Sequence, residues 1–148
     1  MSQTNELEIM ERIALDLEGV EESLASSFNT GAEDFNALIR PLSAAGGKRL
    51  RAQLCLLIAN AGTSVERQRI RIAEAVEMLH LATLIHDDVL DQAEIRRGEE
   101  TIHMHKGNKV AILSGDYLFA KAFQIVSEMP NMKYLQIFSH IRSEERRV

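Results

Sequence analysis

Leu81-Ala82-Thr83-Leu84-Ile85-His86-Asp87-Asp88-Val89-Leu90-Asp91 joins an apolar run to three carboxylates. The run belongs to a longer stretch, Ala75 to Leu90, that is apolar almost all round. That is the pattern of a helix enclosed by other elements. Asp87, Asp88 and Asp91 stand at i, i+1 and i+4, so Asp87 and Asp91 share a face one turn apart. The three charges repel one another, and aspartate is a weak helix former. Carboxylates emerging from a buried helix need a partner cation. Magnesium suits them: it takes oxygen ligands and keeps room for water and substrate phosphates. The competing reading is a charged helix end paired with Arg96 and Arg97. His80 lies two turns before Asp87 on nearly the same face, and His86 reads as a neighbour packing beside the cluster.

Outward from this stretch the apolar spacing is helical nearly everywhere. Leu7, Met10, Ile13, Ala14, Leu17, Val20 and Leu24 predict an amphipathic first helix, with Glu6, Glu8, Glu11, Asp16 and Glu18 on its solvated face. Gly31 is a break, and Phe35, Leu38 and Ile39 predict a short helix stopped near Pro41. An apolar helix follows Gly46-Gly47, from about Lys48 to Ala61. After the turn Gly62-Thr63-Ser64, with Ser64 as N-cap, a long helix runs from about Val65 to Leu90. Gln92 to Lys106 reads as a loop with some helical character. A further buried helix covers about Asn108 to Glu128, ended by Pro130, and a last short one Asn131 to about Ile141. No strand alternation or repeat is evident, so the expected class is all-α, with residues 1–148 as a single helical domain and a charged tail from Arg142 to Val148.

The net charge of −5 argues against a nucleic-acid groove. The lone cysteine, Cys55, cannot form an internal disulfide and reads as a small buried hydrophobe, compatible with a reducing cytoplasm. The polar, acidic start is unlike a signal peptide. No apolar run is expected to approach the roughly 20 residues of a transmembrane segment.

Two basic motifs complement the acidic one. In Gly46-Gly47-Lys48-Arg49-Leu50-Arg51 the glycines allow close backbone approach to an anion. The amides at a helix start add partial positive charge. Lys48 and Arg51, three apart, are expected to share a face, with Arg49 pointing elsewhere. Arg96-Arg97-Gly98 follows the carboxylates; its guanidinium groups suit bidentate phosphate contact or pair with Glu94, Glu99 or Glu100.

Taken together, the basic motif at 46–51, Glu77-Met78-Leu79-His80, Leu84 to Asp91, Arg96-Arg97-Gly98 and Gly115-Asp116-Tyr117-Leu118 resemble, in order and spacing, the N-terminal half of a trans-isoprenyl (polyprenyl) diphosphate synthase. The resemblance implies an antiparallel helical bundle of the isoprenoid synthase type. It implies a magnesium-dependent transferase that condenses isopentenyl diphosphate with an allylic diphosphate. By position, Asp87, Asp88 and Asp91 would bind magnesium, and Arg96 would hold the allylic diphosphate. Lys48, Arg51, His80 and Arg97 would hold isopentenyl diphosphate, with Arg49 in indirect support. In this family the two residues four and five places before the first aspartate limit the prenyl tail. Here they are the small Thr83 and Ala82, which implies a medium- or long-chain product. Phe119 and Phe123 on the next helix read as core.

Two features depart from the family pattern. Ala52 stands where proline is usual, and no aspartate follows Asp116, so a second aspartate-rich motif is lacking. The expectation is a truncated synthase, inactive alone, whose exposed apolar surface drives association into a homodimer or hetero-oligomer. The alternative is a non-catalytic helical subunit of a partner synthase. A helical diphosphate hydrolase would use the carboxylates but not the second basic site.

Overall fold

The computed structural model describes residues 3–44, 47–62 and 64–145. Met1, Ser2, Gly46 of the glycine pair, Thr63 of the turn and Arg146, Arg147 and Val148 of the charged tail lie outside the described residues. The helices are α1 (Gln3–Ser27), α2 (Glu33–Ala44), α3 (Leu50–Asn60), α4 (Glu66–Leu90), α5 (Ile102–Lys106), α6 (Asn108–Ser127) and α7 (Met132–Glu145). The all-α expectation holds except for a short hairpin, β1 (Ile95–Arg96) and β2 (Glu99–Glu100).

The central place of α4 follows from its composition. It packs against α6, α3 and α1, burying Ala75, Met78, Leu79, Ala82 and Ile85. Val20 and Leu24 enter from α1, Phe28 from the turn just after it, Leu56 from α3, and Leu118, Ala122 and Ile125 from α6. Each large side chain so buried contributes about 1.5–3 kcal/mol. α7 is held to α6 by Phe138, whose ring meets Phe123 edge-on at 5.3 Å.

Several expectations are corrected. Asp16, placed on the solvated face of α1, is buried: its carboxylate takes bonds from Arg69 Nε (3.0 Å) and Nη2 (3.2 Å) and from Asn60 Nδ2 (3.1 Å). Leu7 and Met10, counted with the apolar face, are exposed. Pro41 does not stop α2; it lies inside the helix. Three residues follow it, so the helix forgoes one N–H bond near its end while Ile39 stays buried.

α3 starts at Leu50, two residues later than expected, because Arg49 adopts a left-handed conformation (φ 46°). Lys48 therefore sits in a turn and does not share a helix face with Arg51. Ser64 is not the N-cap of α4; Val65 holds that position, and Ser64 Oγ donates to Ala59 O at 2.7 Å, closing the end of α3. The loop at 92–106 contains the hairpin, in antiparallel register Ile95↔Glu100 and Arg96↔Glu99, followed by α5. Its turn residues Arg97 (φ 54°) and Gly98 (φ 87°) both have positive φ, as a two-residue hairpin demands. α7 runs on to Glu145. Finally, α6 is 20 residues long and apolar enough to cross a bilayer by length and composition alone. It carries Asp116 and Lys121 and buries Ala111, Gly115, Leu118 and Ile125, which makes it a core helix here.

Candidate diphosphate and magnesium site

The acidic half is built by the last turn of α4. Asp87 and Asp91 are both exposed, and the Asp91 N–H closes the helix on Asp87 O at 2.8 Å. Asp88 points away from them. It is 5% exposed and its Oδ1 receives both Arg96 Nε and Nη2 at 2.7 Å. This bond, with the field of all three aspartates, holds the Arg96 guanidinium above its ordinary pKa despite burial. The structure thus separates the expected trio: one carboxylate orients an arginine, and two remain open. Among the described residues no three carboxylate, imidazole or thiol side chains gather as a ready ligand cluster. Two open oxygen donors one turn apart, at the negative end of a helix dipole, still fit a hard divalent ion that keeps most of its waters.

His86 fixes this turn against α6. Its Nε2 is 3.1 Å from Ile112 O and 3.6 Å from Asp116 Oδ1. Its ring lies over Gly115, where any Cβ would overlap the imidazole. This explains why the glycine of Gly115-Asp116-Tyr117-Leu118 is needed.

The basic half is assembled from separate elements. Lys48 and Arg51 are exposed on either side of the buried Arg49. Gly47 (φ 61°) lies beside the Arg97 guanidinium: a Cβ there would stand 3.8 Å from both Nη1 and Nη2. His80 is half-buried, and its pKa is lowered by burial first, then by Arg51, with Arg97 and Arg96 adding to the effect and Glu77 opposing it. The fold therefore draws Arg51, Arg96 and Arg97 around His80. One expectation is amended: the first turn of α3 does not offer all its amides to an anion, because Ala52 N–H donates to Glu77 Oε1 at 3.0 Å. Proline at 52 could not make this bond.

Ala82 is fully buried, and Thr83 is half-buried with its Oγ donating to His80 O at 2.7 Å. Neither lines the cavity of about 480 Å³ that opens between α2, α4, the hairpin and α5. That cavity is floored by Leu38, Leu42, Leu81, Leu84 and Ile85, with Asp88, Arg96 and Arg97 also on its wall. Sequence reasoning missed Leu81 and Leu84, although their spacing to Asp88 places all three on one helical face. It also missed the half-exposed Glu21 and the buried Glu77 as the anions behind the basic turn.

The family model for polyprenyl synthetases matches residues 32–145. The chain belongs to the polyprenyl synthetase family. It is 34% identical over 131 residues to the octaprenyl diphosphate synthase of Escherichia coli (strain K12), covering 88% of this chain and 41% of that one. The crystal structure of a decaprenyl diphosphate synthase from Rhodobacter capsulatus superposes with a TM-score of 0.81 at 32% identity, covering 90% of this chain and 41% of its own. A polyprenyl synthase from Caulobacter crescentus, solved with calcium and isoprenyl diphosphate, gives 0.81 at 36% identity, with 88% and 41% covered. The chain thus spans about 40% of the length of these polyprenyl synthetase relatives.

Proposed function

We propose that the chain carries the first magnesium-diphosphate site of a medium- or long-chain polyprenyl diphosphate synthase, which joins isopentenyl diphosphate to an allylic diphosphate. The observation that supports this best is the position of Arg96. It interacts electrostatically with Asp87, Asp88 and Asp91 and also with His80, so the acidic and basic halves meet at the hairpin. In this reading Asp87 and Asp91 hold magnesium, and Asp88 acts by aiming Arg96 at the allylic diphosphate. Bound magnesium supplies charge neutralisation for the departing diphosphate. Lys48, Arg51, His80 and Arg97 hold isopentenyl diphosphate. His80, whose pKa is lowered by burial and then by Arg51, serves as a hydrogen-bonding group. The apolar helices behind Ala82 and Thr83 shield the allylic cation from water. The medium- or long-chain product rests on the small side chains at 82 and 83 alone, since neither lines the cavity. A soluble, cytoplasmic setting belongs to the same reading.

Turnover is proposed to need the remainder of the family fold or a partner subunit. Radiolabelled isopentenyl diphosphate should not be incorporated by the purified 148-residue chain, while a non-reactive allylic thiodiphosphate should bind in the presence of magnesium. Incorporation by the chain alone would refute the first half, and binding indifferent to magnesium the second. A second reading, a helical subunit of a larger synthase, is favoured by the exposed face of α3, where Leu50, Leu54, Leu57 and Ile58 lie uncovered among the described residues. A strictly monomeric chain by light scattering would count against homodimer and hetero-oligomer readings alike if it persisted in the presence of the partner.

A further inference from the structure

In the basic turn, Lys48 and Arg51 face solvent and Arg49 faces inward. The Arg49 backbone is left-handed, an uncommon state for a residue with a side chain. Its guanidinium shows what holds it there. Nε and Nη2 meet the two oxygens of Glu21 at 2.6 and 3.1 Å, a bidentate pair. Nη2 also reaches Ser43 O at 2.6 Å, and Nη1 lies 3.5 Å from Glu77 Oε2. The other Glu77 oxygen receives Ala52 N–H. One arginine thereby ties the turn to α1, α2 and α4, while Glu77 ties the first turn of α3 to the same point. Glu21 belongs to α1 and precedes residue 32, where the family match begins.

The geometry points to Glu21 as a positioning residue for anion recognition: through Arg49 it sets the turn that exposes Lys48, brings Gly47 beside the Arg97 guanidinium and leads into Arg51 near His80. The inference rests on the diphosphate reading above. It makes α1, which bears none of the recognised motifs, part of the binding machinery. It also has a sign that simple electrostatics lacks. Removing the negative charge of Glu21 near an anion site should tighten anion binding by Coulomb's law. Loss of positioning should weaken it.

The test is titration of inorganic pyrophosphate into the 148-residue chain by calorimetry in EDTA, which isolates the basic half from any metal. Glu21→Gln should weaken binding about tenfold, the usual scale for a supporting contact behind a ligand-binding group. Glu21→Asp keeps the charge and retracts it by one methylene, so it should weaken binding too, with the field unchanged. The Glu21 side chain is about half exposed, which suits both variants to folding, and circular dichroism checks this. Arg49→Lys should reproduce the loss, and adding Glu21→Gln to it should cost little more. Lys48→Ala and Arg51→Ala serve as the reference. If they weaken pyrophosphate binding while Glu21→Gln tightens it or leaves it unchanged and Glu21→Asp has no effect, the positioning role is overturned. If Lys48→Ala and Arg51→Ala change nothing, the diphosphate reading itself falls, and the role of Glu21 with it.

Discussion

The acidic and basic halves of the site are built in opposite ways. The carboxylates come from the last turn of one helix, and a single spacing, i to i+4, places Asp87 and Asp91 together. The basic groups come from a turn before α3, the middle of α4 and the tip of a hairpin, and they meet only because α4 packs against α3 and the hairpin folds back on it. A local site survives as long as its helix does. An assembled site survives only while every element stays docked, and Arg49 with its carboxylate partners shows how much of the molecule is committed to that.

The largest expected effect separates the halves. Asp87→Ala with Asp91→Ala should lower magnesium-supported pyrophosphate affinity by about two orders of magnitude, measured by calorimetry. Affinity in EDTA should not fall, since removing carboxylates near the anion can only favour it; an equal fall in both conditions would show that the halves are not separable. Asp88→Asn cuts the bond that joins them. It removes the charge paired with Arg96 across a partly exposed contact and should cost about 2 kcal/mol in urea unfolding. An unchanged midpoint would mean that Arg96 is oriented by something else.

Gly115→Ala drives a methyl group into the His86 ring. It should cost about 1–3 kcal/mol as an overpacked contact and weaken the magnesium response more than binding in EDTA. The smallest effect concerns His80. Its folded pKa lies below the ordinary value of about 6.5, so the unfolded chain takes up the proton first as pH falls. Stability should be fully present above pH ~6.5 and decline below it until the folded group also protonates. His80→Gln should flatten that slope in urea midpoints compared at about pH 7.5 and about pH 5.5. A slope that survives the substitution belongs to other groups.

Much of this was legible in the sequence, for physical reasons. The period of apolar residues located the central helix between Ala75 and Leu90 because a buried helix must be apolar on all sides. The carboxylate spacing was readable because helical geometry is local. Asp16 was misread because nothing nearby in sequence announces Arg69, its partner 53 residues on. Helix starts were misplaced at Lys48 and Ser64 because the contacts that decide them are not local: Ala52 N–H donates to Glu77, 25 residues on, and the Ser64 hydroxyl donates back to Ala59 O on the preceding helix. The hairpin escaped notice because two-residue strands leave no alternation to detect, although Arg97-Gly98 marks its turn. Glu21 carried no signal in the sequence and Glu77 stood out only within the motif ending at His80; the fold places Arg49 between them.

Glu74 gives the docking of α1 a particular character. Its carboxylate is fully buried and accepts from Ser23 Oγ (2.6 Å), Ser27 Oγ (2.7 Å) and Arg71 Nη1 (2.6 Å). Until α1 arrives, that buried anion has Arg71 and water; once it arrives, two hydroxyls replace the water together. A half-docked helix would strand a charge in a dry place. Opening of α1 should therefore be a single event, with amides along Val20 to Ser27 exchanging their hydrogens at one common rate rather than fraying one by one from the start of the chain.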